Sequence, residues 1–154
     1  MRQGKVRSIG VSNFTVSHLQ EILDVAQIRP SANQVEAHPY LPQHDLLRYC
    51  EENGVRLIAF SPLGSAKNPS LLADNVINKV AVKLKMTPAQ VLLSWAITRG
   101  APVISKTSNL HHLGENLNLR MLDAESMREI NSIPIRFRFI NPVEFWKRDC
   151  FNND

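Results

Sequence analysis

The sequence lacks any apolar run near the roughly 18 residues that a membrane-spanning helix needs. No apolar core stands behind the positive charge of Met1-Arg2-Gln3-Gly4-Lys5, which argues against a secretory signal. Cysteine is scarce. Cys50 and Cys150 are too few for a disulfide framework, and no metal-ligand spacing accompanies them, so a reducing, cytoplasmic setting fits and no metal is expected. Without a secretory signal, the sequon Asn13-Phe14-Thr15 reads as coincidence. No stripe of Lys and Arg interleaves with aromatics, which argues against nucleic acid as a partner. Low-complexity tracts, tight repeats and linker-like stretches are absent as well. What is there is ordinary for a folded domain: 154 residues, 44% apolar and 21% charged. A chain of this size buries roughly 70% of its unfolded surface. The balance of 18 basic and 14 acidic residues gives +4, which permits an anionic ligand.

The hydrophobic period alternates between strand and helix along the chain. Val6 to Val11 reads as a short strand. Thr15 to Gln27 then places Val16, Leu19, Ile22, Leu23 and Ala26 on one helical face, with Thr15 as N-cap and Pro30 limiting its extension. Ala32 to Ala37 is a second strand. A helix from about Gln43 follows, ending at Gly54 as a left-handed cap. Val55 to Phe60 is the clearest strand, and Ser61 to Ser70 is a loop marked by Pro62, Gly64 and Pro69. Val76, Ile77, Val80, Ala81 and Leu84 form a helical face. Thr87-Pro88-Ala89-Gln90 starts the next helix with a capping box and proline in the first turn. Pro102 to Ser105 is a fourth strand, followed by helices over about Asn109 to Asn116 and from about Asp123. From Pro134 the chain reads as irregular and aromatic. Trp95, Met86 and Met121 read as packing residues.

Strands separated by helices pair in parallel through right-handed crossovers. The fold class is therefore α/β, with four βα units. The segment Gly10-Val11-Ser12-Asn13-Phe14 at the end of the first strand carries one glycine, so the dinucleotide glycine fingerprint fails. Four βα units are half of an eight-stranded (β/α)8 TIM barrel, and barrels of that kind bind ligands at the carboxyl ends of their strands. Those ends carry Ser12 and Asn13; Asn33, Gln34 and Glu36 running into His38-Pro39-Tyr40; Phe60 and Ser61 before the Pro62–Ser65 turn; and Ser105 to Asn109. Amides pair with a carboxamide, Phe60 can stack on a flat ring, and backbone amides of a Gly/Ser turn can hold pyrophosphate. Lysine and hydroxyls leading into a helix N-terminus suit a phosphate monoester. Glu36 is either a pocket group or a paired strand residue.

This constellation resembles the aldo-keto reductase superfamily. The resemblance rests on Gly10-Val11-Ser12-Asn13-Phe14, on Asn33-Gln34-Val35-Glu36-Ala37-His38-Pro39-Tyr40, and on Ala59-Phe60-Ser61-Pro62-Leu63-Gly64-Ser65. It also rests on Thr87 to Leu93, on Lys106-Thr107 and on Glu115-Asn116, in matching order and spacing from about Lys5 to Trp146. The His-Pro-Tyr after the second strand is similar to the aldose and aldehyde reductase branch. The resemblance implies an oxidoreductase that reduces aldehydes or ketones with NADPH. It assigns Ser12, Asn13 and Gln34 to the nicotinamide carboxamide, and Phe60 to stacking on the nicotinamide where the family commonly has tyrosine. Ser61, Leu63 and Ser65 match the pyrophosphate loop, and Lys106, Thr107 and Asn109 match the 2′-phosphate pocket. Glu115 and Asn116 match adenine contacts. His112 stands where the family usually has arginine, and it lacks the bidentate fork, so phosphate preference should weaken. The tail, with Phe139, Phe145 and Trp146, resembles the C-terminal loop that lines the substrate pocket.

In this family a tyrosine donates the proton, tuned by lysine and aspartate, and a histidine orients the substrate. All four lie on the first four barrel strands, whereas this chain begins at what resembles the fifth. Tyr40 and Tyr49 are the only tyrosines, and neither has a local Lys/Asp set. His38 reads as a structural hydrogen-bonding histidine. No catalytic residue is assigned. The expectation is a C-terminal half, residues 1–154, that carries most of the cofactor site and is inactive alone. It would act on a small carbonyl substrate only with the missing half, or self-associate through its exposed strand edges. The alternatives are a non-catalytic nucleotide-binding or interaction module, and a product that never folds stably.

Overall fold

A computed structural model describes residues 4–65 and 69–141. The strands are β1 (Gly10–Ser12), β2 (Ala32–Glu36), β3 (Arg56–Phe60) and β4 (Val103–Ile104). The helices are α1 (Val16–Val25), α2 (His44–Glu52), α3 (Asn75–Leu84), α4 (Pro88–Thr98), α5 (Leu110–Leu117) and α6 (Ala124–Asn131), with a 3-10 turn at Leu71–Ala73 before α3. The sheet is parallel, and its strands lie in the order β1-β2-β3-β4. The chain divides into two compact units. Unit 1 comprises Met1–Val35, Gln43–Ile58 and Ile140–Asp154, and unit 2 comprises Glu36–Pro42 and Ala59–Phe139. β2 and β3 contribute residues to both units.

In unit 1 the register pairs Gly10 with Ala32 and Ser12 with Gln34. The first strand starts later than the predicted Val6–Val11: the ladder begins at Gly10, Val6 and Ile9 are exposed, and Ile9 meets its neighbour only through its carbonyl, which accepts from Ser31 N–H and Ser31 Oγ. Thr15 caps α1 with a capping box in which His18, rather than Glu or Gln, supplies the returning side chain. Leu19, Val35, Leu46, Cys50, Val55 and Leu57 are buried, each apolar side chain contributing about 1.5–3 kcal/mol relative to exposure. Burial pushes the Cys50 thiol up to about 11, so this cysteine is an inert packing group. Gly54 takes φ +67 just past α2, as the C-cap reading requires.

In unit 2 β3 pairs with β4 through Ala59–Val103 and Phe60–Ile104. Helices α3, α4 and α6 enclose a core of Tyr40, Leu71, Ile77, Val80, Val91, Leu92, Trp95, Ile130 and Phe139. α4 starts at the predicted position, with Thr87 Oγ1 accepting from Gln90 N–H and Gln90 Oε1 accepting from Thr87 N–H. Trp95 is buried and donates its indole N–H to Asn131 Oδ1 at 2.9 Å. Met86 packs against this core, but Met121 does not: it is 64% exposed.

Candidate functional site

The predicted site residues divide between the two units. In unit 1, Ser12 ends β1 and Asn13 follows it. Ser12 Oγ and Asn13 N–H both donate to the Gln34 carbonyl, each at 2.9 Å. Asn13 has φ 59, a left-handed conformation that costs a non-glycine residue roughly 1–2 kcal/mol. Buried Asn33 offsets it. Its Nδ2 donates to the Phe14 carbonyl at 2.8 Å and its Oδ1 accepts from Phe14 N–H at 3.3 Å. This two-way clamp fixes the backbone immediately after Asn13. Among the described residues, the side-chain amides of Asn13 and Gln34 make no hydrogen bond, so both stay open to a ligand.

In unit 2, Phe60 ends β3 and Ser61 follows with φ 48. A left-handed non-glycine residue thus follows both β1 and β3, and strain of this kind concentrates at binding sites. Gly64 N–H donates to the Ser61 carbonyl at 2.8 Å and closes the turn that also carries Leu63. Ser65 follows the turn, half-buried.

A cavity of about 430 Å³ in the same unit collects Leu63, Lys106, Thr107, His112, Glu115 and Asn116. That volume lies within the range of small-molecule sites. Sequence reading named all six, but it missed the other wall: Leu72, Thr87, Pro88, Ala89 and His111. Thr87 and Pro88 were legible as a helix start, and that same helix N-terminus borders the cavity. Asn109 is the N-cap of α5, its Oδ1 accepting from His111 N–H at 2.9 Å, while Thr107 Oγ1 accepts from Asn109 N–H at 3.1 Å. Gln90 Nε2 donates to the carbonyls of Glu115 and Asn118, which ties the start of α4 to the end of α5. Lys106 is exposed and makes no ion pair among the described residues.

Glu36 is wholly buried and accepts Phe139 N–H at 2.7 Å and His38 Nε2 at 2.9 Å. Leu41 N–H donates to the His38 carbonyl at 2.8 Å and also reaches His38 Nδ1 at 3.1 Å, which holds the ring with Nε2 toward the carboxylate. Phe139 is 3% exposed, stacks on Tyr40 and meets His38 and Phe137 edge-on. It stands in the core of unit 2, while Phe145 and Trp146 lie outside the described residues. The Tyr40 hydroxyl donates to Asp74 Oδ2 at 2.9 Å. Burial, together with the Asp74 carboxylate, pushes it up to about 12. Asp74 also caps α3, accepting from Val76 N–H and Ile77 N–H.

The family model for the aldo/keto reductase family matches residues 1–135. Aldose reductase B of Dictyostelium discoideum is 41% identical over 151 residues, covering 97% of this chain and 48% of that protein. The NADPH-dependent D-xylose reductase of Meyerozyma guilliermondii is 38% identical over 164 residues, covering 98% of this chain and 52% of that protein. Among solved structures, aldose reductase from Giardia lamblia superposes with a TM-score of 0.90 at 31% identity, covering 98% of this chain and 53% of that one. The chain spans about half the length of the relatives it matches. No helix among the described residues is long and apolar enough to cross a membrane. By the match of its sequence and of its four-stranded parallel fold, the chain belongs to the aldo/keto reductase family.

Proposed function

We propose that this chain is the C-terminal, NADPH-holding half of a barrel reductase that converts aldehydes or ketones to alcohols. The observation that carries the reading is the cavity of unit 2. Residues from three separate segments, assigned from sequence to the pyrophosphate, 2′-phosphate and adenine ends, line one hollow there. The donor set fits the group. Lys106 brings an ammonium and Thr107 a hydroxyl, and α5 begins beside them with Asn109 as its cap. Glu115 and Asn116, half-buried one turn further on, offer acceptor and amide edges to a purine. In unit 1, Asn13 and Gln34 present open amides to a carboxamide. The M. guilliermondii relative, named as NADPH-dependent, supports the choice of cofactor. Bound there, reduced nicotinamide supplies the hydride for carbonyl reduction. Within unit 2, Phe60 would stack on its ring and Ser61, Leu63 and Ser65 would hold its pyrophosphate; within unit 1, Ser12, Asn13 and Gln34 would meet a carboxamide.

Among the described residues we assign no proton donor. Tyr40 is committed to Asp74 and resists ionisation, and Glu36 and His38 are committed to one another and to Phe139. The chain alone is therefore expected to bind NADPH without oxidising it in the presence of an aldehyde. The test is a titration read by the fluorescence of the dihydronicotinamide itself, on chain shown to unfold cooperatively. Saturable binding that weakens in Lys106→Ala supports the reading. A folded chain that leaves the fluorescence unchanged refutes it, and turnover with a simple aldehyde refutes the inactivity.

A further inference from the structure

We infer that the first turns of α5 form a binding site for a divalent transition-metal ion, with His111, His112 and Glu115 as ligands. One donor atom from each of the three lies within 4.8 Å of the other two. His111 Nδ1 stands 3.6 Å from Glu115 Oε2 across one helical turn. All three residues line the cavity of unit 2, so water and ions reach them. Metal–ligand bonds of roughly 2.1 Å put tetrahedral donors about 3.4 Å apart. The three donors must therefore draw in by about an ångström. Both imidazoles are exposed, so side-chain rotation supplies that movement without disturbing the core.

The donor set decides which ion binds. Two imidazole nitrogens and one carboxylate suit Zn2+, Ni2+ or Co2+. Mg2+ and Ca2+ prefer oxygen shells, and this site offers one carboxylate. Three protein ligands leave a position for water or another ligand. Lys106 lines the same cavity, and its charge opposes a cation, so the site is weaker than a closed four-ligand one. On the reading of His112 and Glu115 as adenine contacts, the ion and NADPH take the same groups and each weakens the other.

The experiment is calorimetric titration of metal-stripped, tag-free chain with ZnCl2, then with MgCl2. One Zn2+ per chain and no measurable Mg2+ binding are expected. His111→Ala and Glu115→Gln should each weaken Zn2+ at least tenfold, while His44→Ala on α2 leaves it unchanged. His111 is exposed and Glu115 half-buried, and a thermal melt confirms that the variants fold. Absent saturable Zn2+ binding, or equal binding by His111→Ala and Glu115→Gln, overturns the site. Repeating the NADPH titration with Zn2+ present separates the two readings. Zn2+ binding by a chain that never binds NADPH leaves the metal site standing and removes the dinucleotide reading. NADPH binding with Zn2+ sites that fail removes the metal site alone.

Discussion

Replacing Gly64 by alanine tests how the loop after β3 is joined to the core. Gly64 has φ +76, and a Cβ placed there would meet Phe139 Cε2 at 2.9 Å, Leu71 Cδ1 at 3.0 Å and Phe139 Cζ at 3.0 Å. Two costs add. The left-handed conformation costs alanine roughly 1–2 kcal/mol. Overpacking against a filled core costs roughly a further 1–3 kcal/mol. Neither Phe139 nor Leu71 can swing aside, being 3% and 1% exposed. Gly64→Ala should thus destabilise by about 2–5 kcal/mol in urea unfolding. Gly54 is the built-in control. Its φ is +67, but nothing lies within 4 Å of the added carbon, so Gly54→Ala carries only the first cost. A double-mutant cycle completes the test, because Phe139→Leu removes the ring edge and should return part of the loss. Equal destabilisation by Gly64→Ala and Gly54→Ala, with no coupling to Phe139, would refute the packing argument.

Glu36→Ala removes the buried acceptor of the Phe139 N–H and the partner of His38 Nε2, and at roughly 1–3 kcal/mol for each group left unsatisfied should cost about 2–6 kcal/mol in the same unfolding assay. His112→Arg restores a guanidinium beside the proposed 2′-phosphate pocket. One charge-assisted hydrogen bond adds roughly 1.5–3 kcal/mol, so NADPH should bind at least tenfold tighter while NADH changes little, measured by paired fluorescence titrations. Tyr40 is a raised acid: its contribution to stability is complete below its ordinary value near 10 and is lost as pH climbs through about 12. Phenolate absorbance should show one tyrosine ionising only near the upper value, and Tyr40→Phe should remove that step. Asp123 and Glu129 are depressed carboxylates, the first by Ser126 N–H and the second by Lys79. Their contribution is present above the ordinary carboxylate range and lost as pH falls through their lowered values, so Asp123→Asn should flatten the acid limb of a stability profile.

Legibility followed the range of the forces involved. The start of α4 is written in four consecutive residues, Thr87 to Gln90, because a capping box is a contact between neighbours. β1 was overextended because Val6 and Ile9 look like strand residues, yet a strand forms only where a partner accepts it, and the ladder holds Gly10–Ser12 alone. The six cavity residues that the family resemblance pointed to line one cavity. His111 and the α4 side of the cavity did not show, since they served other visible purposes as helix and cap. The choice at Glu36 stayed open in sequence because one of its partners, Phe139, is 103 positions away. No local pattern announces such a pairing.

That separation has a kinetic side. A contact between residues 36 and 139 closes a loop whose ends must be brought together at an entropic cost of roughly 4 kcal/mol, from (3/2)RT ln n plus a constant. Helices α3 and α4 form from near neighbours and can precede it. The bond from Phe139 to Glu36 is then a late event in folding and an early one in unfolding. Amide exchange at Phe139, compared with the amides of α3 and α4, should report the order in which this long-range contact and the helices open.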